Sequence, residues 1–221
     1  ASDRDRPREA PATMRVTTAT LLRESVVTCG EWAAARETGS LNALENGRVK
    51  RYAITVHGPR HEDPSETFER AADLLFRYRL FPPHRMVTRV CTPDGRVRPA
   101  ATIVQRIFLG SLGFESAVRV REVFDEPTFA GRRAGFSYVT LEGHPERGVE
   151  SFAVLLHETG LIELTVTAGS RPGGLVVALG YPFARWFQAH STREALLHFR
   201  SLVAYGGGER AAILRHATRR A

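Results

Sequence analysis

Apolar and polar residues alternate through the middle of the chain, and this pattern predicts a run of β-strands. Turn residues such as Asp94-Gly95 and those at 110–113 separate the segments, and strands spaced so closely are typical of an antiparallel meander. In chain order the predicted strands are 50–57, 87–91, 99–109, 114–124, a pair on either side of residues 142–148, and 161–168.

Two helices are predicted beside these strands. The sequence Asp63-Pro64-Ser65-Glu66 combines an N-cap acid, a proline at the first helical position and a glutamate at the third, so a helix is expected to begin here and to reach about Arg79. A longer helix with one aromatic side is expected over residues 182–204, because the glycines at 206–208 end it. Its apolar side should lie across the sheet.

The two ends of the chain differ from the middle. Residues 1–13 are charged, contain proline and have almost no large apolar side chain, so we expect them to be disordered and dispensable for folding. Residues 18–37 have apolar positions at helical spacing, interrupted near Gly30. This helix is expected to pack on the main domain, to cover a pocket or to form a homodimer contact. The chain therefore divides into an extension (1–46), a main domain (47–205) and a basic tail (206–221).

The composition narrows the function classes. Hydrophobic residues make up 43% of the 221 residues, which is sufficient for a sizeable core. The net charge of +7 suggests nucleic acid as a partner, but the arginines are dispersed, Lys50 is the single lysine, and no basic stripe carries exposed aromatic residues. We therefore expect no nucleic-acid partner.

Compartment and cysteine usage follow from the same reasoning. No apolar run is long enough for a membrane span, and the charged N-terminus lacks an apolar targeting segment, so a cytoplasmic protein is expected. Cys29 and Cys91 lie far apart in the sequence, which favours two free thiols over a disulfide framework or a zinc site.

Chemically capable side chains are concentrated in the predicted hairpin at 134–152. With a side-chain period of two, Phe136, Tyr138, Thr140 and Glu142 share one side of a strand. A mixture of aromatic and polar groups is typical of the lining of a ligand cavity, and equally of a face that meets water.

His144 lies in the turn of this hairpin, flanked by Glu142, Glu146 and Glu150. A carboxylate near an imidazole raises the pKa of the histidine and can orient the ring as an acid or a base. His144 is therefore either a catalytic or ligand-contacting residue, or an ordinary turn histidine. The spacing around it matches no metal motif, so neither a metal nor a cofactor is expected.

Tyr138 and Glu150 are expected on adjoining strands, where the period of two allows both to face the same side with His144 between them. A register slip of one residue would reverse this. These three residues are the predicted catalytic group. Arg106 is either an anion clamp in the cavity or a solvated edge charge, and the solvated interpretation is favoured. The predicted ligand contacts are Tyr52, Arg106, Phe136, Thr140, Glu142, Arg171 and Trp186.

Three blocks resemble one family of bacterial and plant proteins, catalogued as domain of unknown function nineteen-ninety. They are Phe68–Phe81, Gly135–Phe152 with its specific Gly143-His-Pro-Glu146 motif, and Ser170-Arg-Pro172 with Gln188. The resemblance covers about residues 50–205. It implies the helix-grip fold of the START and birch-allergen superfamily, an α+β fold in which a curved antiparallel sheet wraps a long C-terminal helix and encloses a cavity.

Members of that superfamily bind lipids, steroids and polyketides, or act as cyclases and dehydratases. The resemblance thus implies a cofactor-independent enzyme acting on a hydrophobic, polyketide-like small molecule by cyclisation, dehydration or related acid–base chemistry. Two alternatives stay open at this point: a non-catalytic binding or carrier protein with the same cavity, and an interaction domain whose cavity is filled by its own side chains.

Overall fold

The computed structural model describes residues 15–42, 44, 49–58, 62–172 and 181–205, with side chains described except at 171–172 and 181–190. A 3-10 turn at Gly30–Trp32 accompanies the regular elements. These elements are β1 (Arg15–Thr18), α1 (Ala19–Glu24), β2 (Lys50–Val56), α2 (Pro64–Phe76), β3 (Met86–Val90), β4 (Thr102–Leu109), β5 (Leu112–Thr128), β6 (Gly131–Thr140), β7 (Glu146–His157), β8 (Ile162–Pro172) and α3 (Tyr181–Tyr205). The residues predicted to be disordered at 1–13 and the basic tail at 206–221 lie outside the described residues.

All eight strands form one antiparallel sheet in the order β2-β8-β7-β6-β5-β4-β3, with β1 paired to β5. Strands β3 to β7 each pair with the next strand in sequence, so the predicted meander is confirmed. Within the described part of the chain, no helix combines the length and the apolar character that crossing a membrane requires.

Helix α2 begins as its capping sequence predicts. The Asp63 carboxylate accepts a hydrogen bond from the backbone N–H of Ser65 at 2.6 Å, and Pro64 occupies the first turn, where its missing N–H costs nothing. The apolar face of the helix is buried against one face of the sheet. From α3, Leu196, Phe199 and Val203 join the same core, which therefore lies between this inner face and the two helices.

The outer face of the sheet is covered by residues 15–42, which we call the N-terminal segment. The helix predicted over residues 18–37 is confirmed only at Ala19–Glu24, and a 3-10 turn follows at Gly30–Trp32. The residues before α1 form β1. Trp32 is 2% exposed and packs with Val104, Ala117 and Leu141, whose side chains alternate with those of the inner core. The segment thus gives the sheet a second, smaller apolar layer.

Arg106 on strand β4 holds the N-terminal segment against the sheet by hydrogen bonds. Its side chain is buried, its Nε donates to Glu115 Oε2 at 2.6 Å, and its terminal nitrogens donate to the backbone carbonyls of Leu22, Ser25 and Val26 at 2.7–2.9 Å. The prediction of a solvated edge charge is wrong. Arg106 lies on the outer face of the sheet, where α1 and the residues after it cover its side chain. An unpaired guanidinium would be costly to bury there.

Cys29 and Cys91 form a disulfide that links the N-terminal segment to the end of β3, so the prediction of two free thiols is also wrong. The Cα atoms are 5.8 Å apart although 62 positions separate the residues in sequence. Sequence distance carries no information about this proximity, because it arises from the segment folding back across the sheet.

Candidate functional site

A pocket of about 260 Å³ opens at the end of the inner face where β6 turns into β7. Strands β4, β6 and β7, the connection from α2 to β3 and the middle of α3 contribute to it. Its apolar lining consists of Phe81, Met86, Ile107, Leu109, Phe114, Pro145 and Val149, and its polar and charged lining includes Arg85, Gln105, Tyr138, Thr140, His144, Glu146, Glu150, Ser170, Ser191 and Thr192.

Tyr138 and Glu150 lie directly opposite each other in the β6–β7 ladder, and both side chains line the pocket. The Tyr138 hydroxyl donates a short hydrogen bond to Glu150 Oε2. The sequence-based expectation that the register would bring these two residues to one side therefore agrees with the structure.

Two further residues extend this pair into a buried network. The Tyr78 hydroxyl lies 3.3 Å from the Tyr138 hydroxyl, to which it donates, and the Gln105 side-chain amide donates to Tyr78 at 3.0 Å. Neither Tyr78 nor Gln105 is among the site residues predicted from the sequence. The helix predicted to reach about Arg79 would include Tyr78, but α2 ends at Phe76 and Tyr78 has a φ of 53°.

The Glu150 carboxyl has a raised pKa in this network. Burial raises its pKa to about 7, with the charge of Glu146 acting in the same direction, while the Tyr138 hydrogen bond and Lys50 act in the opposite direction. Burial and the Glu150 charge raise the pKa values of Tyr138 and Tyr78 well above the usual value of a phenol, so both stay protonated.

His144 lines the same pocket, but its protonation differs from the prediction. Its Nδ1 lies 3.1 Å from the backbone nitrogen of Glu146 and 2.9 Å from the carbonyl oxygen of that residue, so the turn holds the ring. Burial lowers the pKa of His144 to about 4, although flanking carboxylates were expected to raise it. The histidine is consequently neutral at physiological pH.

The remaining predicted ligand contacts divide between the pocket and its surroundings. Thr140 lines the pocket, and its hydroxyl lies 2.9 Å from that of Thr38 and accepts from the backbone N–H of Gly148 at 3.0 Å. Phe136 is fully buried in the core, stacked on Phe152 with ring centroids 5.3 Å apart, and does not line the pocket. Tyr52 is half-buried and packs against the same core.

Glu142 lies outside the pocket, where it forms an ion pair with Arg36 of the N-terminal segment at 3.2 Å. Neither Glu142 nor Arg106 belongs to the lining of this pocket, so the structure does not bring these two predicted ligand contacts to it. The side chains of Arg171 and Trp186, also predicted as contacts, lie outside the described residues.

Arg85, which the sequence analysis did not single out, contributes the guanidinium of the pocket. Its Nε lies 2.6 Å from Glu194 Oε2 and its terminal nitrogen 3.3 Å from Oε1, so both nitrogens are engaged with one carboxylate of α3. Among the described residues, no group of three or more His, Cys, Asp or Glu side chains is arranged to hold a metal ion.

An eight-stranded antiparallel sheet with a C-terminal helix and a largely apolar pocket on the same face defines an α+β protein. The chain belongs to the family described as Domain of unknown function (DUF1990), whose sequence pattern matches residues 43–197. This confirms the resemblance found in the sequence blocks. None of the curated proteins matches the sequence significantly.

Solved structures with a similar fold share little sequence with this chain. A hypothetical protein, jhp0584, from Helicobacter pylori is 9% identical with a TM-score of 0.50, covering 81% of this chain and 96% of its own. The Zhui aromatase/cyclase from a Streptomyces species is 16% identical (TM-score 0.43, 75% and 95% covered). A norcoclaurine synthase mutant from Thalictrum is 12% identical (0.45, 71% and 93%). At 9% identity, the similarity to the Helicobacter pylori protein concerns the fold alone.

Proposed function

We propose that the protein is a cofactor-independent enzyme that transfers protons on a hydrophobic small molecule, held in a cavity between the sheet and α3. The observation that carries this proposal is the Tyr138–Glu150 pair, a hydrogen-bonded phenol and carboxyl that face a largely apolar pocket. A volume of about 260 Å³ lies just below the range of about 300–1,000 Å³ that is common for ligand pockets, so the ligand is small.

Glu150 is the general base of this proposal. A carboxyl with a pKa of about 7 is partly ionised at neutral pH, and as a base it is much stronger than an ordinary glutamate. Its Oε1 takes a proton from the bound molecule, and the same carboxyl returns the proton to another position. Tyr138 donates to Oε2 throughout and keeps the carboxyl oriented.

His144 serves as a second polar contact at the turn. Because its pKa is lowered to about 4, it is a neutral imidazole that can donate or accept a hydrogen bond to an uncharged ligand. Gln105 and Tyr78 complete the polar end of the pocket. Cyclisation or dehydration of a polyketide-like compound, the reactions that the family resemblance implies, both need this kind of proton transfer.

A second candidate is a binding or carrier protein without turnover. It is favoured by one specific observation: Tyr138 donates a hydrogen bond to Glu150, so the pair can exist in an apolar pocket without performing chemistry. The two candidates predict the same ligand occupancy and differ in proton transfer.

Hydrogen–deuterium exchange of a bound ketone separates them. We expect the protein to accelerate exchange of the α-hydrogens of 2-tetralone in D₂O, followed by proton NMR, because the bicyclic ketone is apolar and carries acidic C–H groups. The rate should rise with pH through about 7 as Glu150 ionises. Glu150→Gln should slow the exchange by about 10²–10⁴-fold, the usual contribution of a general base.

Tyr138→Phe should also slow the exchange, since the carboxyl loses its orienting donor, whereas Glu142→Gln should leave it unchanged because Glu142 lies outside the pocket. Line broadening of the ketone without catalysed exchange would favour the carrier. An exchange rate equal in wild type and Glu150→Gln would contradict the assignment of Glu150.

A further inference from the structure

We infer that the pocket selects an uncharged ligand that presents a hydrogen-bond donor, or an acidic hydrogen, to Oε1 of Glu150, and that it rejects anions. This inference rests on the proposed function, because it concerns the ligand of the same pocket. It narrows the substrate class from any hydrophobic molecule to neutral phenols, enols and enolisable ketones.

The order of donors in the buried network supports the inference that the ligand presents a hydrogen-bond donor or an acidic hydrogen to Glu150. The Gln105 amide donates to Tyr78, Tyr78 donates to Tyr138, and Tyr138 donates to Oε2 of Glu150. Each hydroxyl hydrogen is thus committed in the direction of the carboxylate. Among the described residues, Oε1 has no hydrogen-bond partner, although the side chain lines the pocket. When Glu150 is ionised, the group that the protein offers to a ligand here is therefore an acceptor.

The backbone conformation of Tyr78 is a separate indication that the fold imposes the geometry of this network. A φ of 53° is unfavourable for a large aromatic residue, and such a conformation persists only where the surroundings impose it. The Tyr78 ring is 1% exposed and contacts Phe81, Phe136, Tyr138 and Phe152. Its hydroxyl is held at the position from which it donates to Tyr138, so the donor order is built into the end of α2.

The charges around the pocket support the inference that it rejects anions. The described cation in the lining, Arg85, is held by Glu194 through two nitrogens, and His144 is neutral. Glu146 adds a second carboxylate to the lining beside Glu150, while Lys50 acts on Glu150 from strand β2, outside the lining. An anionic ligand would meet carboxylates in a mostly apolar cavity, where like charges interact more strongly than in water.

Three naphthalenes of one shape test this inference by isothermal titration at about pH 8, where Glu150 is mostly ionised. They are 2-naphthol, which carries a donor, 2-methoxynaphthalene, which does not, and the anion 2-naphthoate. We expect 2-naphthol to bind about 10–100-fold more tightly than 2-methoxynaphthalene, the range for a hydrogen bond to a charged group. The anion should bind more weakly than either.

Glu150→Gln identifies the responsible group. In this variant the affinity for 2-naphthoate should rise at least about tenfold relative to 2-naphthol, because the repulsive charge is gone. The control Glu142→Gln removes a carboxylate from the turn between β6 and β7 that lies outside the pocket. It should keep the wild-type order of affinities.

Tighter binding of 2-naphthoate than of 2-naphthol would overturn the inference, since it would mean that a cation receives the ligand. That result would leave the proposed proton transfer intact if 2-tetralone exchange still depends on Glu150. If none of the three naphthalenes binds and 2-tetralone is not exchanged, both the inference and the proposed function fail.

Discussion

Replacing Arg106 by methionine will lower the free energy of unfolding by about 3–5 kcal/mol, the usual result of removing one partner from a buried ion pair. Glu115 is 1% exposed and would lose its 2.6 Å contact to Arg106, retaining Arg15 at 3.7 Å. The carbonyls of Leu22, Ser25 and Val26 would each lose the hydrogen bond that Arg106 donates, although Leu22 keeps the one from the Ser25 hydroxyl. Methionine keeps most of the side-chain volume, so the loss reports the charge and its hydrogen bonds.

Urea unfolding followed by circular dichroism measures this effect. Arg98→Met is the matched control, because Arg98 forms an exposed ion pair with Asp94 and should cost less than about 1 kcal/mol. Adding Glu115→Leu to Arg106→Met should recover part of the lost stability, since it removes the uncompensated charge. Equal effects of Arg106→Met and Arg98→Met would contradict the buried ion pair.

Removing the disulfide is the second large effect. The variant with both Cys29→Ser and Cys91→Ser should lose about 2–4 kcal/mol, because the covalent link restricts the unfolded chain and a closed loop of 62 positions makes that restriction substantial. Serine is close in size to cysteine, so packing beside Trp32 changes little. Urea unfolding of the oxidised wild type against the double variant gives the difference.

Reductant supplies the internal control. It should destabilise the wild type by a similar amount and leave the double variant unaffected. Two titratable thiols in the native, unreduced protein would contradict the disulfide and restore the original prediction of free cysteines. Disulfides persist mainly in oxidising compartments. A fully oxidised protein isolated from its cells would therefore weigh against the predicted cytoplasmic location.

Local patterns predicted most of the main domain. The alternation in the central strands and the Asp63-Pro64 start of α2 each depend on interactions within a few residues or across a short hairpin, and the structure contains all of these elements. The N-terminal segment was not predictable in this way. Its conformation depends on partners about 80 positions away, such as Arg106, which donates to the Ser25 carbonyl. Although the helical periodicity extends over residues 18–37, the α-helix that forms has only the six residues of α1.

The candidate site shows the same division. Tyr138 and Glu150 come together because an antiparallel register and a period of two are local properties of one hairpin. Tyr78 and Gln105 come from other elements, and their contacts with Tyr138 depend on how α2 ends and how it packs against the sheet. The pKa of His144 was predicted in the wrong direction because sequence neighbours indicate nearby carboxylates, whereas burial, which dominates, depends on the complete fold.

The ionisation of Glu150 tests the central claim most directly, because the proposed chemistry requires a base that titrates near neutrality. Carbon-13 NMR of glutamate side-chain carboxyls, with Glu150→Gln to assign the resonance, follows this group between about pH 3 and 9. The structure predicts a pKa of about 7, since burial outweighs the Tyr138 hydrogen bond and the charge of Lys50. Tyr138→Phe should raise that pKa further, because the donor to the carboxylate is lost. A Glu150 pKa of about 4.3, the value of a solvated glutamate, would contradict the account.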